Sequence, residues 1–529
     1  MAGTQDEGQP QPGRRPAIGH GDNLIRNLAY WARVRGDAKS VVVDAQALTW
    51  RELNDQANRF ANGLIAQGFR PGDRVGMLMY NQLAFPVAML GTLRAGGAIV
   101  LLNVRYTPDE IHHPVTDSAL TVVVADEVLL PLLAGIGDYA GRVKVVTTTP
   151  VTGYASFAEV LADDPADPGV AVSGEDIAMI CYTSGTTGLP KGAAMSHQAI
   201  YAAGAAKTYV VRQSFDDRML LPMPMAYTAG SVFFLRDGIQ SGQTTYFLSK
   251  PTAETMLDMI ERERITAIEG VAVLYEMMMS HPRFAEADLS SLRRAVTGGQ
   301  FVSMELLRRW QERGVHLSQG YGQTESAGSY ITILTTDEAL SRIGSAGLPM
   351  PNLDVRVMRD DGTEAQPGES GEIWVRGASI MTCYINRPDE TAAALAGGWL
   401  HTGDIGVMDQ DGYLKIVDRT KDMLISGGLN VYPAEIEKAL GGFAGLEDIA
   451  VIGVKDARWG EVPILVTSNL AGVDLDALRA LCRERLADYK RPRFLIAHPE
   501  PLPRTFSGKI TKLALRQRYP EAPAGAIPL

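Results

Sequence analysis

Cysteine is scarce: Cys181, Cys383 and Cys482 are the three in 529 residues. They cannot build a disulfide framework, and they lie too far apart in sequence to mark a zinc site. There is no run of about 18 apolar residues, so no membrane-spanning helix is expected. The N-terminal stretch MAGTQDEGQPQPGRRPAIGHGD lacks an apolar h-region and reads as a mobile polar tail, not a secretory signal. Positive charge is not in excess. The chain has 50 basic and 61 acidic residues, a net charge of −11, whereas a dedicated nucleic-acid binder needs a basic surface to meet the phosphate backbone. No repeat of solenoid length recurs. These absences lead us to expect a soluble cytoplasmic protein with neither nucleic acid nor a membrane among its partners.

What is present is ordinary globular material. Hydrophobic residues make up 46% and charged residues 21%, enough to form several cores. At roughly 150 residues per domain the length suggests three or four folding units. The apolar runs RVGMLM (74–79), AIVLLN (98–103), TVVVAD (121–126) and VKVVTTT (143–149) read as buried strands. Segments such as ELNDQANRFANGLIAQG (52–68) carry apolar residues at helical spacing and a glycine stop. Strands alternating with helices predict an α/β fold with parallel sheets. Turns and charges crowd 403–428, where DQDG reads as a hairpin and DRTKD as a linker. A boundary is therefore expected at 419–422. Beyond it come a helix from about Pro433, strands at IAVIGV and PILVTSN, a helix from Asp474, and a basic stretch. That stretch, 490–518, holds Lys490, Arg491, Arg493, Arg504, Lys509, Lys512, Arg516 and Arg518 against one acid, Glu500. It is either a surface for a phosphorylated small molecule or a solvated basic end.

The most informative segment is CYTSGTTGLPKG (181–192). A buried strand over 176–182 runs into a loop of Thr183, Ser184, Gly185, Thr186, Thr187 and Gly188, ending on Lys191. Glycines let backbone N–H groups approach an anion and hydroxyls add donors, which suits a polyphosphate. A Walker A loop would need GxxxxGK[ST]; here Pro190 precedes the lysine and Gly192 follows it, so that motif fails. GAAMS, next in line, reads as a strand, so capture of phosphate at a helix N-terminus is not expected.

The string TSGTTGLPKG resembles the phosphate loop of the adenylate-forming superfamily, which includes acyl-CoA synthetases, peptide-synthetase adenylation domains and beetle luciferases. The resemblance continues in order through Gly320-Tyr-Gly-Gln-Thr-Glu325, Trp399-Leu-His-Thr-Gly-Asp404, Asp418-Arg419-Thr-Lys421-Asp-Met-Leu-Ile-Ser-Gly427-Gly428 and Pro503-Arg-Thr-Phe-Ser-Gly-Lys509. It implies a large N-terminal domain of stacked α/β subdomains with a small β-barrel-like part, then a small mobile C-terminal α+β domain. In numbers, 1–21 is a disordered polar tail, 22–418 the large domain, 419–422 the hinge, 423–519 the small domain and 520–529 a tail.

The implied reaction joins a carboxylate to the α-phosphate of ATP, releasing pyrophosphate, then transfers the acyl group to coenzyme A. Two anions must meet, so positioning and charge neutralisation should dominate. The resemblance assigns Thr183 to Gly188 and Lys191 to the phosphates, with Thr186 and Glu325 holding Mg²⁺. It assigns Gly298, Gly299, Gln300, Gly320, Tyr321, Gly322, Gln323, Thr324 and Ile416 to the nucleotide pocket, Tyr321 stacking on adenine. Asp404 would accept from the ribose hydroxyls, Arg419 would reach ribose or phosphate, and Lys509 would bridge substrate carboxylate and α-phosphate. Lys421 marks the hinge about which the small domain swings, and Gly427 and Gly428 the pantetheine tunnel. Tyr227, Ala229, Gly230, Val273, Gln300, Gly322 and Ala327 would line the acyl pocket.

Where the family has PLFHxxG, this chain has Ala226 in place of an aromatic residue and Tyr227 in place of the histidine; Ala272 stands where proline is common. Small residues there imply a wide apolar pocket for a bulky, aromatic or fatty acid. No acid occurs in AYTAG to pair with a substrate ammonium, which disfavours an amino-acid-selecting domain. Leu429, after the glycine pair, makes the thiol step the less secure of the two. A carrier protein as acceptor, a homodimer, a luciferase-like oxygenase and a non-catalytic nucleotide-binding protein complete the alternatives.

Overall fold

The computed structural model describes residues 23–134, 143–183, 189–299, 302–335, 338–342, 344–419, 422–426, 429–446, 448–456, 459–504 and 510–529. Among them the strands form four sheets.

The expected apolar runs lie side by side in the first sheet. Strand β1 (Ile177–Thr183) pairs in parallel with Ala98–Leu101, which is followed by Arg74–Leu78, Val122–Ala125 and Lys144–Thr147. Every residue of Ala98–Leu101 and Val122–Ala125 is buried, as parallel strands covered on both faces require. Trp50–Ala66 is the helix predicted from its spacing. A capping box between Thr49 and Glu52 starts it, and Gly68 follows its end with φ +92°. Strand β2 (Lys191–Ser196) turns back antiparallel along β1, with Thr183 opposite Lys191. GAAMS is thus a strand as expected, and its outer edge carries the short strand Cys383–Tyr384.

Helix α1 (His197–Val210) leaves β2. Helix α2 (Thr228–Phe233) runs on into a π-helical turn, Phe234–Ile239. The second sheet has nine strands. At its functional end stand β3 (Ala267–Val271), β4 (Arg294–Gly298) and β5 (Leu317–Gly322), mutually parallel, and then antiparallel β6 (Tyr330–Leu334). One apolar core spans both large sheets. The β-barrel-like part is an antiparallel sheet of Leu353–Met358, Ser370–Gly377, β7 (Leu400–Met408) and β8 (Leu414–Arg419). The turn between β7 and β8 is the predicted DQDG hairpin.

The next strand, Leu424–Ser426, belongs to a separate six-stranded sheet with its own apolar clusters and helix α3 (Pro433–Leu440). Residues 520–529, expected as a tail, instead end in the strand Ile527–Pro528, paired with Phe494–Ala497; Ile527 and Leu529 pack on that core. The basic stretch is also corrected. Lys490 pairs with Glu435, Arg491 and Arg493 with Asp488, Arg504 with Asp448, Lys512 with Glu437 and Arg516 with Asp422. The adjacent Asp488 and four acids brought in from elsewhere in the sequence consume most of its charge, so it is not a free cationic surface. Among the described residues no helix is long and apolar enough to cross a membrane.

Candidate active site

The connection from β1 to β2 starts at Thr183 and ends at Lys191, two residues the antiparallel register places face to face. Ser184, Gly185, Thr186, Thr187 and Gly188 lie outside the described residues. The stem is well held. The His113 Nε2 atom lies 2.8 Å from the Pro190 carbonyl, Lys191 is ion-paired with Glu390, and the Lys191 Nζ atom stands 5.3 Å from the centre of the Tyr384 ring.

Glu325 is brought to this stem by a short 3₁₀ turn, Thr324–Ser326, at the end of β5. The turn is tied internally: the Gln323 N–H donates to Ser326 Oγ at 3.1 Å, and the Ser326 hydroxyl donates to the Gln323 carbonyl at 2.8 Å. Ala327 leaves the turn with φ +54°. The Glu325 carboxylate is 9% exposed and its Oε1 accepts from the Tyr384 hydroxyl at 2.8 Å and from Thr183 Oγ1 at 3.3 Å. Burial first, and then Glu325 beside it, push the Tyr384 hydroxyl pKa far up, so it remains a donor. Among the described residues no three His, Cys, Asp or Glu side chains could hold a metal by themselves. A single buried carboxylate among hydroxyls instead fits Mg²⁺, a hard cation held through one or two carboxylates plus substrate phosphates.

Four residues before Glu325, Tyr321 donates from its hydroxyl to Asp404 Oδ2 at 2.7 Å. Asp404 on β7 is opposite Arg419 on β8, and the Arg419 Nε atom lies 3.2 Å from Asp404 Oδ1. Asp404 is 5% exposed, and an ionised carboxylate keeps acceptor capacity beyond these two partners. Gly298 and Gly320 are neighbours across β4 and β5, and a Cβ on Gly298 would come within 2.6 Å of the Gly320 carbonyl oxygen. Strand packing alone demands glycine at 298. Gly299 differs: its φ is +83°, and a side chain there would meet nothing nearer than Val271 at 3.8 Å, so its backbone faces open space. Ile416 is half-buried on β8.

On the acyl side, Tyr227 precedes α2 and donates from its hydroxyl to Asn103 Oδ1 at 2.8 Å. Tyr227, Ala229, Val273 and Gly322 are partly exposed, whereas Gly230, Ala327, Ala226 and Ala272 are buried. The small residues at 226 and 272 therefore serve close packing and do not themselves open a wall. A Cβ on Gly230 would strike the Pro224 carbonyl. Gln300, Lys421, Gly427, Gly428 and Lys509 lie outside the described residues; Leu429 is half exposed.

Sequence reasoning missed Tyr384, Glu390 and Asn103. Tyr384 is 59 residues from Glu325, and no local spacing links them; the edge pairing of Cys383–Tyr384 on β2 does. Tyr384→Phe should lower kcat/KM for ATP about tenfold, as expected for a lost hydrogen bond to a carboxylate, mainly through a higher KM for Mg·ATP. Initial rates against metal concentration measure this, and an unchanged KM would make Tyr384 a packing residue. Tyr227→Phe should raise the KM for the acid several-fold and cost about 0.5–1.5 kcal/mol of stability by removing one of the two hydrogen bonds that Asn103 Oδ1 accepts, the Arg105 N–H keeping the other. Unchanged kinetics and urea midpoint would reduce that hydroxyl to a spectator.

Residues 28–385 match the model of the AMP-binding enzyme family, and residues 435–509 that of the AMP-binding enzyme C-terminal domain. The chain is 38% identical to a feruloyl-CoA synthase of an Amycolatopsis species, over 92% of this chain and 97% of that protein. It is 36% identical to the long-chain-fatty-acid–CoA ligase FadD13 of Mycobacterium tuberculosis, over 89% of this chain and 93% of that one. The solved structure of ATP-bound MatB from Rhodopseudomonas palustris superposes with a TM-score of 0.86 at 29% identity, covering 94% of this chain and 99% of the other. The overall fold is thus shared with a solved ATP-bound structure. The chain belongs to the AMP-binding enzyme family, and by family and fold it is an AMP-forming acid–thiol ligase.

Proposed function

We propose that this enzyme activates a hydrophobic carboxylic acid as its acyl-adenylate and then transfers the acyl group to coenzyme A, giving a thioester, AMP and pyrophosphate. The observation that carries the reading is the shared platform. Tyr321, bonded to Asp404, and Glu325, bonded to Thr183, stand four residues apart at the end of β5, so one nucleotide can span both groups.

In this reading the loop from Thr183 to Lys191 receives the β- and γ-phosphates, and Asp404 and Arg419 orient the ribose. Glu325, with Thr186, would hold Mg²⁺, which supplies charge neutralisation at the phosphates. The carboxylate oxygen attacks the α-phosphorus, pyrophosphate leaves, and Lys509 stabilises the charge at that centre. A small domain, 423–519, then turns about Lys421 against the large domain, 22–418, withdrawing Lys509 and opening a path past Gly427 and Gly428. Along it the pantetheine thiol attacks the acyl carbonyl, and AMP leaves. The relatives' names include an aromatic acid and a fatty acid, which supports a hydrophobic acid.

The test is acid-dependent pyrophosphate release across aryl and alkyl acids, followed by mass detection of the CoA thioester. Silence with every acid would overturn the enzyme reading. Pyrophosphate without a CoA thioester would leave adenylation standing and move the acceptor to a carrier protein.

A further inference from the structure

Deep in the large sheets lies a polar cluster that none of the roles above uses. Lys207 on α1, Arg236 and Asp237 on the π-helical turn, and Glu269 on β3 all have side chains at most 1% exposed. Their charges cancel. Lys207 Nζ is 2.7 Å from Asp237 Oδ2 and also pairs with Glu269. Arg236 grips Asp237 through two bonds of 2.9 and 2.6 Å, reaches Glu269 Oε1 at 2.8 Å, and donates to Ser329 Oγ at 3.2 Å. The Tyr330 hydroxyl donates to Glu269 Oε1 at 2.5 Å. Two aromatic rings face the cluster: Phe233 and Tyr330, centres 6.0 Å apart, with the Arg236 guanidinium 4.1 Å from the Phe233 ring.

Three elements that the resemblance assigns to the acyl pocket converge here. Helix α2 begins beside Tyr227 and Ala229 and runs straight into Arg236, seven residues and roughly 10 Å further along the axis at a helical rise. Glu269 shares a face of β3 with Val271, which a side chain on Gly299 would meet at 3.8 Å. On the third side, a Cβ on Gly322 would strike the Ser329 carbonyl and one on Gly320 the Tyr330 ring, so the partners of Arg236 and Glu269 stand directly behind that wall.

We propose that the Phe233–Tyr330 pair, backed by the Lys207–Arg236–Asp237–Glu269 cluster, closes the far end of the acyl pocket and favours compact aryl acids over long-chain ones. This rests on the acyl-pocket placement given above. A flat ring fits against the two aromatic faces. A long alkyl tail would have to part ion pairs already satisfied in a dry interior, where an unpaired charge is costly. The plug thus selects the aryl substrate over the long-chain one.

The experiment compares kcat/KM from pyrophosphate release for benzoate, 4-hydroxycinnamate, ferulate, octanoate and palmitate with the wild-type chain. The hydroxycinnamates should exceed palmitate by about 100-fold or more. Phe233→Ala, which shortens the plug without touching an ion pair, should raise octanoate relative to 4-hydroxycinnamate about tenfold with an unchanged KM for ATP. Tyr330→Phe keeps the ring and should preserve the wild-type order of acids. Palmitate equal to or better than ferulate, or a Phe233→Ala enzyme whose size preference is unmoved while its ATP KM stays constant, would overturn the plug and leave adenylation intact. No pyrophosphate with any acid would overturn the function reading itself.

Discussion

Replacing Lys509 by alanine should lower acid-dependent pyrophosphate release by about 10²–10³-fold, the scale set by removing one preorganised charge donor from a developing anion. The same variant, supplied with a synthetic acyl-adenylate and CoA, should form the thioester at nearly the wild-type rate. In the proposed first half-reaction two anions approach each other, a carboxylate and the α-phosphate, and a compact ammonium between them would answer both. In the second half-reaction a thiol attacks a carbonyl already activated as a mixed anhydride, and that charge pair is gone. The split is therefore the signature of one pocket used with two faces of a small domain. Equal loss in both half-reactions would contradict it and make Lys509 a general binding residue.

The second large effect is on stability. Asp237→Ala should cost about 3–5 kcal/mol, the range for removing one partner of a buried pair, because it leaves the fully buried Lys207 and Arg236 facing Glu269 alone. Urea denaturation followed by fluorescence measures it, and a loss below about 1 kcal/mol would mean that water enters to solvate the stranded cations. Burial alone would raise the Asp237 pKa, but Arg236 and Lys207 outweigh it and hold the carboxyl below its usual range. A carboxyl depressed in the folded state contributes stability above its unfolded pKa of about 3.9, and loses it as pH falls through the lower folded value. The difference in urea midpoint between wild type and Asp237→Ala should thus hold steady from about pH 5 upward and shrink in stronger acid. A gap that instead shrank between neutral pH and pH 5 would contradict the depressed carboxyl.

Which residues the candidate site brings together was largely legible in the sequence because its pairs lie close together along the chain. Thr183 and Lys191 flank one turn, Tyr321 and Glu325 one strand end, and Asp404 and Arg419 face each other across one hairpin. Buried parallel strands were legible for a related reason: covered on both faces, they must be apolar throughout. The basic C-terminal stretch misled because a run of lysines and arginines says nothing about which acids fold against it. Ala226 and Ala272 misled likewise, since small size opens space or fills it depending on what packs behind.

By itself, then, the order of residues along the chain determined the α/β architecture, the Thr/Gly-rich loop motif and the pairing of Asp404 with Arg419 across one hairpin, since each follows from local periodicity or a short spacing. The folded arrangement alone decided that Tyr384 holds Glu325, that Asp422, Glu435, Glu437 and Asp448 draw in the basic stretch, and that Lys207, Arg236, Asp237 and Glu269 meet in the dry interior. Those contacts join residues as far as 94 positions apart, and hydrogen bonds and ion pairs depend on distances of a few ångströms that only packed sheets and helices fix.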